Sequence, residues 1–156
     1  MTFTFDFSSG AAARIVHAVR ERSKGRRQEG IYDSFHIRRG DFQYKKTRVE
    51  ASEIYEISKD EIPEGATVYV GEYRAAPYFR FGICSNILIH ILPFKGTDER
   101  KKDFFADMSK HYDLVFLDDH MDLLKGLDRN LYGMVDQLVV SRGVSGVFLY
   151  LMSLLS

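Results

Sequence analysis

Ser34-Phe35-His36-Ile37-Arg38-Arg39-Gly40-Asp41-Phe42 joins an apolar run to a dense group of charges. The run over residues 31–37 predicts a buried β-strand, and it ends at two arginines, a glycine and an aspartate. In open α/β sheets, ligands bind outside the carboxyl ends of the strands, where adjacent arginines suit a diphosphate. Gly40 permits a close approach to such a ligand, and Asp41 can orient a guanidinium or accept from a sugar hydroxyl. A surface arginine pair neutralised by Asp41 explains the spacing alone equally well.

The composition excludes several classes of protein. The 156 residues carry 22 Lys and Arg against 22 Asp and Glu, so no global basic field indicates nucleic-acid binding. A single cysteine, Cys84, excludes an internal disulfide framework. The first seven residues lack a basic segment and include Asp6, so we predict no signal peptide. The longest apolar runs, 81–94 and 144–155, fall short of the ~20 residues of a membrane-spanning helix.

The periodicity of apolar residues predicts alternating helices and strands. Strands are predicted at 31–37, 67–70 and 112–117, and helices at 11–23, 50–57, 98–110 and over the apolar stripe of 131–139. Ile54 and Ile57 are expected to face the core in the second helix, whereas Asp136 and Gln137 lie off the stripe of the last one. This order predicts an α/β fold, a partial Rossmann-like parallel sheet with flanking helices.

Three other charged groups each have a structural interpretation that is at least as good as a functional one. The basic run at 24–27 fits a solvated helix end. Asp98, beside the capping residue Thr97, fits the start of a helix. Asp118-Asp119-His120 has the residue types of a metal site, but adjacent residues on a strand point to opposite faces, so we predict no metal.

The motif His36-x-Arg38-Arg39-x-Asp41 resembles the His-x-Arg-Arg-x-Asp motif of the GDP-fucose protein O-fucosyltransferase family. Four later stretches in the same order resemble this family, and they lie at 66–71, 97–100, 112–119 and 132–137. The resemblance implies one lobe of a GT-B-type glycosyltransferase that transfers fucose from GDP-fucose to a hydroxyl of a protein or glycan acceptor. Family members act in the endoplasmic reticulum or Golgi, although we predict no signal peptide here.

The resemblance also implies roles for individual residues. Arg38 matches the catalytic arginine, which would stabilise negative charge on the departing GDP. His36, Arg39, Asp41 and Asp98 match residues that bind GDP-fucose. No metal is implied, because the family uses arginine on the diphosphate, and the donor nucleotide sugar takes the place of a cofactor.

The resemblance covers only the C-terminal nucleotide-binding half of such enzymes and is broken twice. We interpret 1–156 as a single partial GDP-fucose-binding lobe with an insertion at 72–96 and a divergent apolar tail at 144–156. Both breaks begin with residues that GTGAGT, a splice-donor sequence, can encode, so retained introns in a truncated or mis-spliced gene model are our hypothesis. Real, divergent protein is the alternative. We expect negligible transferase activity from this fragment, with a non-catalytic nucleotide-diphosphate-binding remnant or a structural interaction domain as alternatives.

Overall fold

The computed structural model describes residues 3–26, 30–36, 50–71, 103–144 and 146–147. Four strands form one parallel sheet: β1 (Asp33–His36), β2 (Thr67–Gly71), β3 (Asp113–Phe116) and β4 (Gly146–Val147). Their spatial order is β3-β2-β1-β4, and every neighbouring pair is parallel. This order matches the first four strands of a doubly wound dinucleotide-binding sheet. The predicted α/β class, with a parallel sheet and flanking helices, is therefore confirmed.

Helices connect the parallel strands and cover both faces of the sheet. The α-helices that lie wholly within the described ranges are α1 (Phe3–Ser23), α2 (Ala51–Ser58) and α3 (Tyr132–Val140). Short 3₁₀ helices at Met108–Lys110, Leu117–Leu124 and Arg129–Leu131 complete the connections. Gly65, with a φ of 73°, makes the left-handed turn that leads into β2.

Two apolar clusters lie on opposite sides of the sheet. On one side, α1 and α3 pack on Tyr32, Tyr69 and Val115. On the other side, α2 and the 104–112 segment pack on Phe35, Val68 and Val70. Residues of both clusters come from the same strands because successive side chains of a strand point to opposite faces. Burial on both faces explains why all five residues of β2 are buried, with no alternation of buried and exposed positions.

Several local predictions were wrong. Ile57 is 45% exposed, because α2 buries Ala51, Ile54 and Ser58 and turns Ile57 away from the core. Asp136, which lies off the predicted apolar stripe, is fully buried. Residues 105–107 form a turn before the 3₁₀ helix at Met108–Lys110, where we predicted one continuous helix to Lys110.

The beginning of the predicted apolar tail belongs to the sheet. The Val144 N–H donates to the Tyr32 carbonyl at 2.9 Å, and β4 then pairs in parallel with Ser34 and Phe35 of β1. The rest of the tail, 148–156, and the predicted insertion at 72–96 lie outside the described residues. Sequence analysis did not predict β4, whose two residues are too few to show a strand pattern.

Candidate functional site

The strand order places a topological switch point between β1 and β4. The chain moves from β1 outward through β2 and β3, and then returns through α3 to add β4 on the other side of β1. The strand order therefore reverses between β1 and β4, and doubly wound folds bind ligands beyond the carboxyl ends of the strands at such a point. His36 is the last residue of β1 and lies at this point.

Two hydroxyl groups, one on β1 and one on the residue before it, hold the carboxyl end of α3 in place. The Tyr32 hydroxyl donates to the Val139 carbonyl at 2.7 Å, and the Ser34 hydroxyl donates to the Val140 carbonyl at 2.8 Å. Both carbonyls are at the end of a helix, where they have no partner within the helix itself. Burial raises the pKa of Tyr32 to about 12, so this hydroxyl keeps its proton at neutral pH.

A buried tyrosine and a buried carboxyl group fix the same helix to β2. The Tyr69 hydroxyl donates to Asp136 Oδ1 at 2.8 Å, and both side chains are fully buried. Burial, together with the nearby Asp136, raises the pKa of Tyr69 well above its usual value. Tyr69 therefore remains a donor, which a buried carboxyl oxygen requires.

Gly71 lets α3 approach the carboxyl end of β2 very closely. A Cβ at this position would lie 2.3 Å from Val140 Cγ2 and 3.3 Å from Asp136 Oδ2. Gly71 is paired in register with His36, so the close contact occurs directly beside the end of β1. The glycine is required here for space, whereas Gly65 is required for its backbone conformation.

Gln137 extends from α3 to the end of β1. Its Nε2 lies 3.2 Å from His36 Nδ1, and the side chain is exposed. The contact orients the half-buried imidazole at the switch point. Sequence analysis had assigned Gln137 no role, because the contact joins residues 101 positions apart.

The structure places only one of the predicted site residues. His36 lies at the predicted carboxyl end of the strand. Arg38, Arg39 and Asp41 fall within 37–49, and Asp98 falls within 72–102, so all four lie outside the described residues. Their proximity to one another stays a prediction.

Asp118, Asp119 and His120 lie in the 3₁₀ helix after β3, away from the switch point. Burial lowers the pKa of His120, and Asp119 Oδ2 accepts from the Phe116 N–H at 2.8 Å. Within the described ranges, no group of three His, Cys, Asp or Glu side chains is arranged to hold a metal ion. In the same ranges, no helix is long and apolar enough to cross a membrane.

A concave region follows the outer edge of β3. It is an open groove of about 610 Å³ that lies between the end of α1 and the 105–111 segment. Asp113, with 8% of its side chain exposed, binds Arg22 at 2.6 Å and Arg26 at 3.3 Å. Its pKa is lowered, mainly by the hydrogen bonds from Arg22. Thr67 Oγ1 also donates to Asp113, at 3.2 Å.

Comparison of the chain with protein-family models, with curated proteins and with solved structures gave no match.

Proposed function

We propose that the carboxyl end of this sheet binds the diphosphate of GDP-fucose, and that the chain is the nucleotide-binding lobe of a GT-B-type fucosyltransferase. One observation supports this most strongly: β1, the strand beside the topological switch point, is the strand that leads into the arginine motif. Arg38 and Arg39 follow His36 by two and three residues. Covalent geometry alone keeps their α-carbons within about 11 Å of that of His36.

Arg38 is the proposed catalytic residue. Cleavage of the bond between fucose and phosphate builds negative charge on the departing GDP. A fixed guanidinium stabilises that charge more in the transition state than in the ground state, which lowers the barrier. Arg39 and Asp41 are proposed to bind and orient the diphosphate and the sugar, and Asp98 the nucleoside.

His36 is proposed as a nucleotide contact whose orientation depends on Gln137. The Nε2–Nδ1 distance of 3.2 Å brings the amide within hydrogen-bonding distance of one ring nitrogen and so restricts the rotation of the imidazole. Tyr32, Ser34 and Asp136 fix α3 to the sheet, and thereby fix the backbone that carries Gln137.

Calorimetric titration of the purified chain with GDP tests the binding step. Arg38→Ala is expected to weaken GDP binding by about tenfold to a hundredfold, because a hydrogen bond to a charged group contributes about 1.5–3 kcal/mol. Arg129→Ala, at an exposed arginine in the 3₁₀ helix before α3, is the matched control and should bind GDP like the wild type. Equal GDP affinity of Arg38→Ala and the wild type would contradict the proposal.

A fucose-transfer assay separates binding from catalysis. GDP binding that needs Arg38, together with no transfer to any hydroxyl acceptor, would identify a non-catalytic nucleotide-binding protein. Transfer that is lost in Arg38→Ala would identify a working transferase. Chelation of divalent metals should leave GDP binding unchanged, because arginine rather than a cation is proposed to neutralise the diphosphate.

A further inference from the structure

The outer edge of β3 has the features of a self-association surface. Among the described strands, β3 has β2 as its one neighbour. The Asp113 N–H donates to the Ala66 carbonyl of the segment leading into β2. Because alternate residues of a parallel strand bond to the same neighbour, the backbone groups of Leu114 and Phe116 point toward the groove. The Phe116 N–H indeed binds the Asp119 carboxylate rather than β2.

Charges of opposite sign lie at the two ends of this groove. Arg22, Arg26 and Lys110 line it near the start of β3, whereas Asp118 and Asp119 line it beyond the end of the strand. The two arginines share the single carboxylate of Asp113, so the starting end keeps a net positive charge. One end of the groove is therefore cationic and the other acidic.

A two-fold rotation of a second copy would bring the cationic end of one groove to the acidic end of the other. We propose that two copies of this chain associate through antiparallel pairing of their β3 edges. A two-fold axis at Val115 would place Leu114 opposite Phe116 of the second copy, in a pair that exchanges two backbone hydrogen bonds. The same axis brings the cationic end of each groove to the acidic end of the other. The zero formal net charge of the chain adds no long-range repulsion between copies.

Asp119 regulates the exposed edge in this arrangement. In the single chain its carboxylate accepts from the Phe116 N–H and so occupies one donor of the edge. Exposed strand edges associate readily unless such a group blocks them. When two copies pair, the Phe116 N–H donates to a backbone carbonyl of the second copy instead of to Asp119. The Asp119 carboxylate is then free to bind the arginines of that copy. The exchange makes the association reversible and sensitive to salt.

Sedimentation analysis of the whole chain over a range of concentrations tests the proposal. A monomer–dimer equilibrium is expected at low ionic strength, with a weaker dimer at ~1 M salt, where the screening length falls to ~3 Å. Leu114→Pro removes one outward N–H and leaves the bonds to β2 intact, so it should give a folded monomer by circular dichroism. Wild-type chain that is monomeric at all concentrations would overturn the proposal.

Two charge reversals give a test that misfolding cannot imitate. Asp118→Arg places positive charges opposite each other in its own dimer, and Arg26→Glu places negative charges opposite each other. Each variant alone is expected to dimerise at least about tenfold more weakly than the wild type. An equimolar mixture of the two variants should form a heterodimer. At one contact Arg26 faces Asp118 as in the wild type, and at the other contact both charges are reversed, so opposite charges face each other at both. Failure of two folded variants to associate on mixing would contradict the antiparallel arrangement.

The carboxyl ends of β1 and β4, where the nucleotide is proposed to bind, take no part in this interface. GDP binding is therefore expected to be unchanged in Asp118→Arg and in Arg26→Glu, which separates failure of this proposal from failure of the nucleotide site.

Discussion

The two sides of the sheet each contain a hydrogen bond from a tyrosine to a carboxyl group, in opposite surroundings. On the α3 side, Tyr69 donates to Asp136 at 2.8 Å with both side chains fully buried. On the α2 side, Tyr55 donates to the exposed Glu64 at 3.2 Å, and Glu64 also binds His111. Water can replace the partners of Glu64 but not those of Asp136. The same pair of chemical groups thus fixes a helix to the sheet in one region, whereas in the other it forms an exposed surface contact that contributes little to stability.

The α3 side of the sheet also contains a very close contact between Gly71 and Val140. Gly71→Ala tests this contact and is expected to have the largest effect on stability. The added Cβ would lie 2.3 Å from Val140 Cγ2, so we expect a loss of about 3 kcal/mol in the free energy of unfolding, measured in urea. Gly25→Ala is the control, because a Cβ there meets nothing within 4 Å. Val140→Ala in the same chain should restore part of the loss. No recovery in that double variant would show that the close contact is not the cause.

Removing the Tyr69 and Tyr55 hydroxyls, one in each variant, compares how much the two hydrogen bonds stabilise the fold. Tyr69→Phe leaves a buried carboxyl oxygen without its donor, so we expect a loss of about 2 kcal/mol in the free energy of unfolding. Tyr55→Phe removes the equivalent hydroxyl from an exposed carboxylate and should leave the denaturation midpoint unchanged within error. Equal losses in the two variants would contradict the distinction between the regions.

The ion pair on Asp113 is intermediate between the buried Tyr69–Asp136 and the exposed Tyr55–Glu64 hydrogen bonds. Its carboxylate is buried, whereas its two arginines are about half exposed. Arg22 lowers the pKa of Asp113, so the pair stabilises the fold above the unfolded pKa of about 3.9. This stability is lost as the pH falls through the still lower pKa of the folded state. Asp113→Asn should therefore cost about 1 kcal/mol at pH 7, and the difference from the wild type should shrink in acid. A difference that does not change with pH would argue against an electrostatic origin.

The core elements could be predicted because their signals are local. Strands were predicted at 31–37 and 67–70; β1 (Asp33–His36) lies within the first range, and β2 (Thr67–Gly71) covers the second. The stripe at 131–139 became α3. These predictions needed only the spacing of apolar residues along the chain.

The details at the switch point could not be predicted because they join distant parts of the sequence. The burial of Asp136 was not predicted, since its donor Tyr69 is 67 positions away. A signal was nevertheless present: a tyrosine in the middle of a strand buried on both faces needs a partner for its hydroxyl, and a polar residue on a covering helix can provide one. Arg38, Arg39, Asp41 and Asp98 were proposed from resemblance, and their roles stay predictions.

The position of β1 between β2 and β4 has a consequence for the order of folding. The contact between Tyr32 and Val139 spans 107 residues, and contacts so distant in sequence require a large loop to close before they give any stability. During synthesis, β1, β2 and β3 emerge and can pair before α3 and β4 are available. The switch point between β1 and β4, where the nucleotide is proposed to bind, is thus the last part of the described sheet to form, and a chain stalled before residue 146 would lack it.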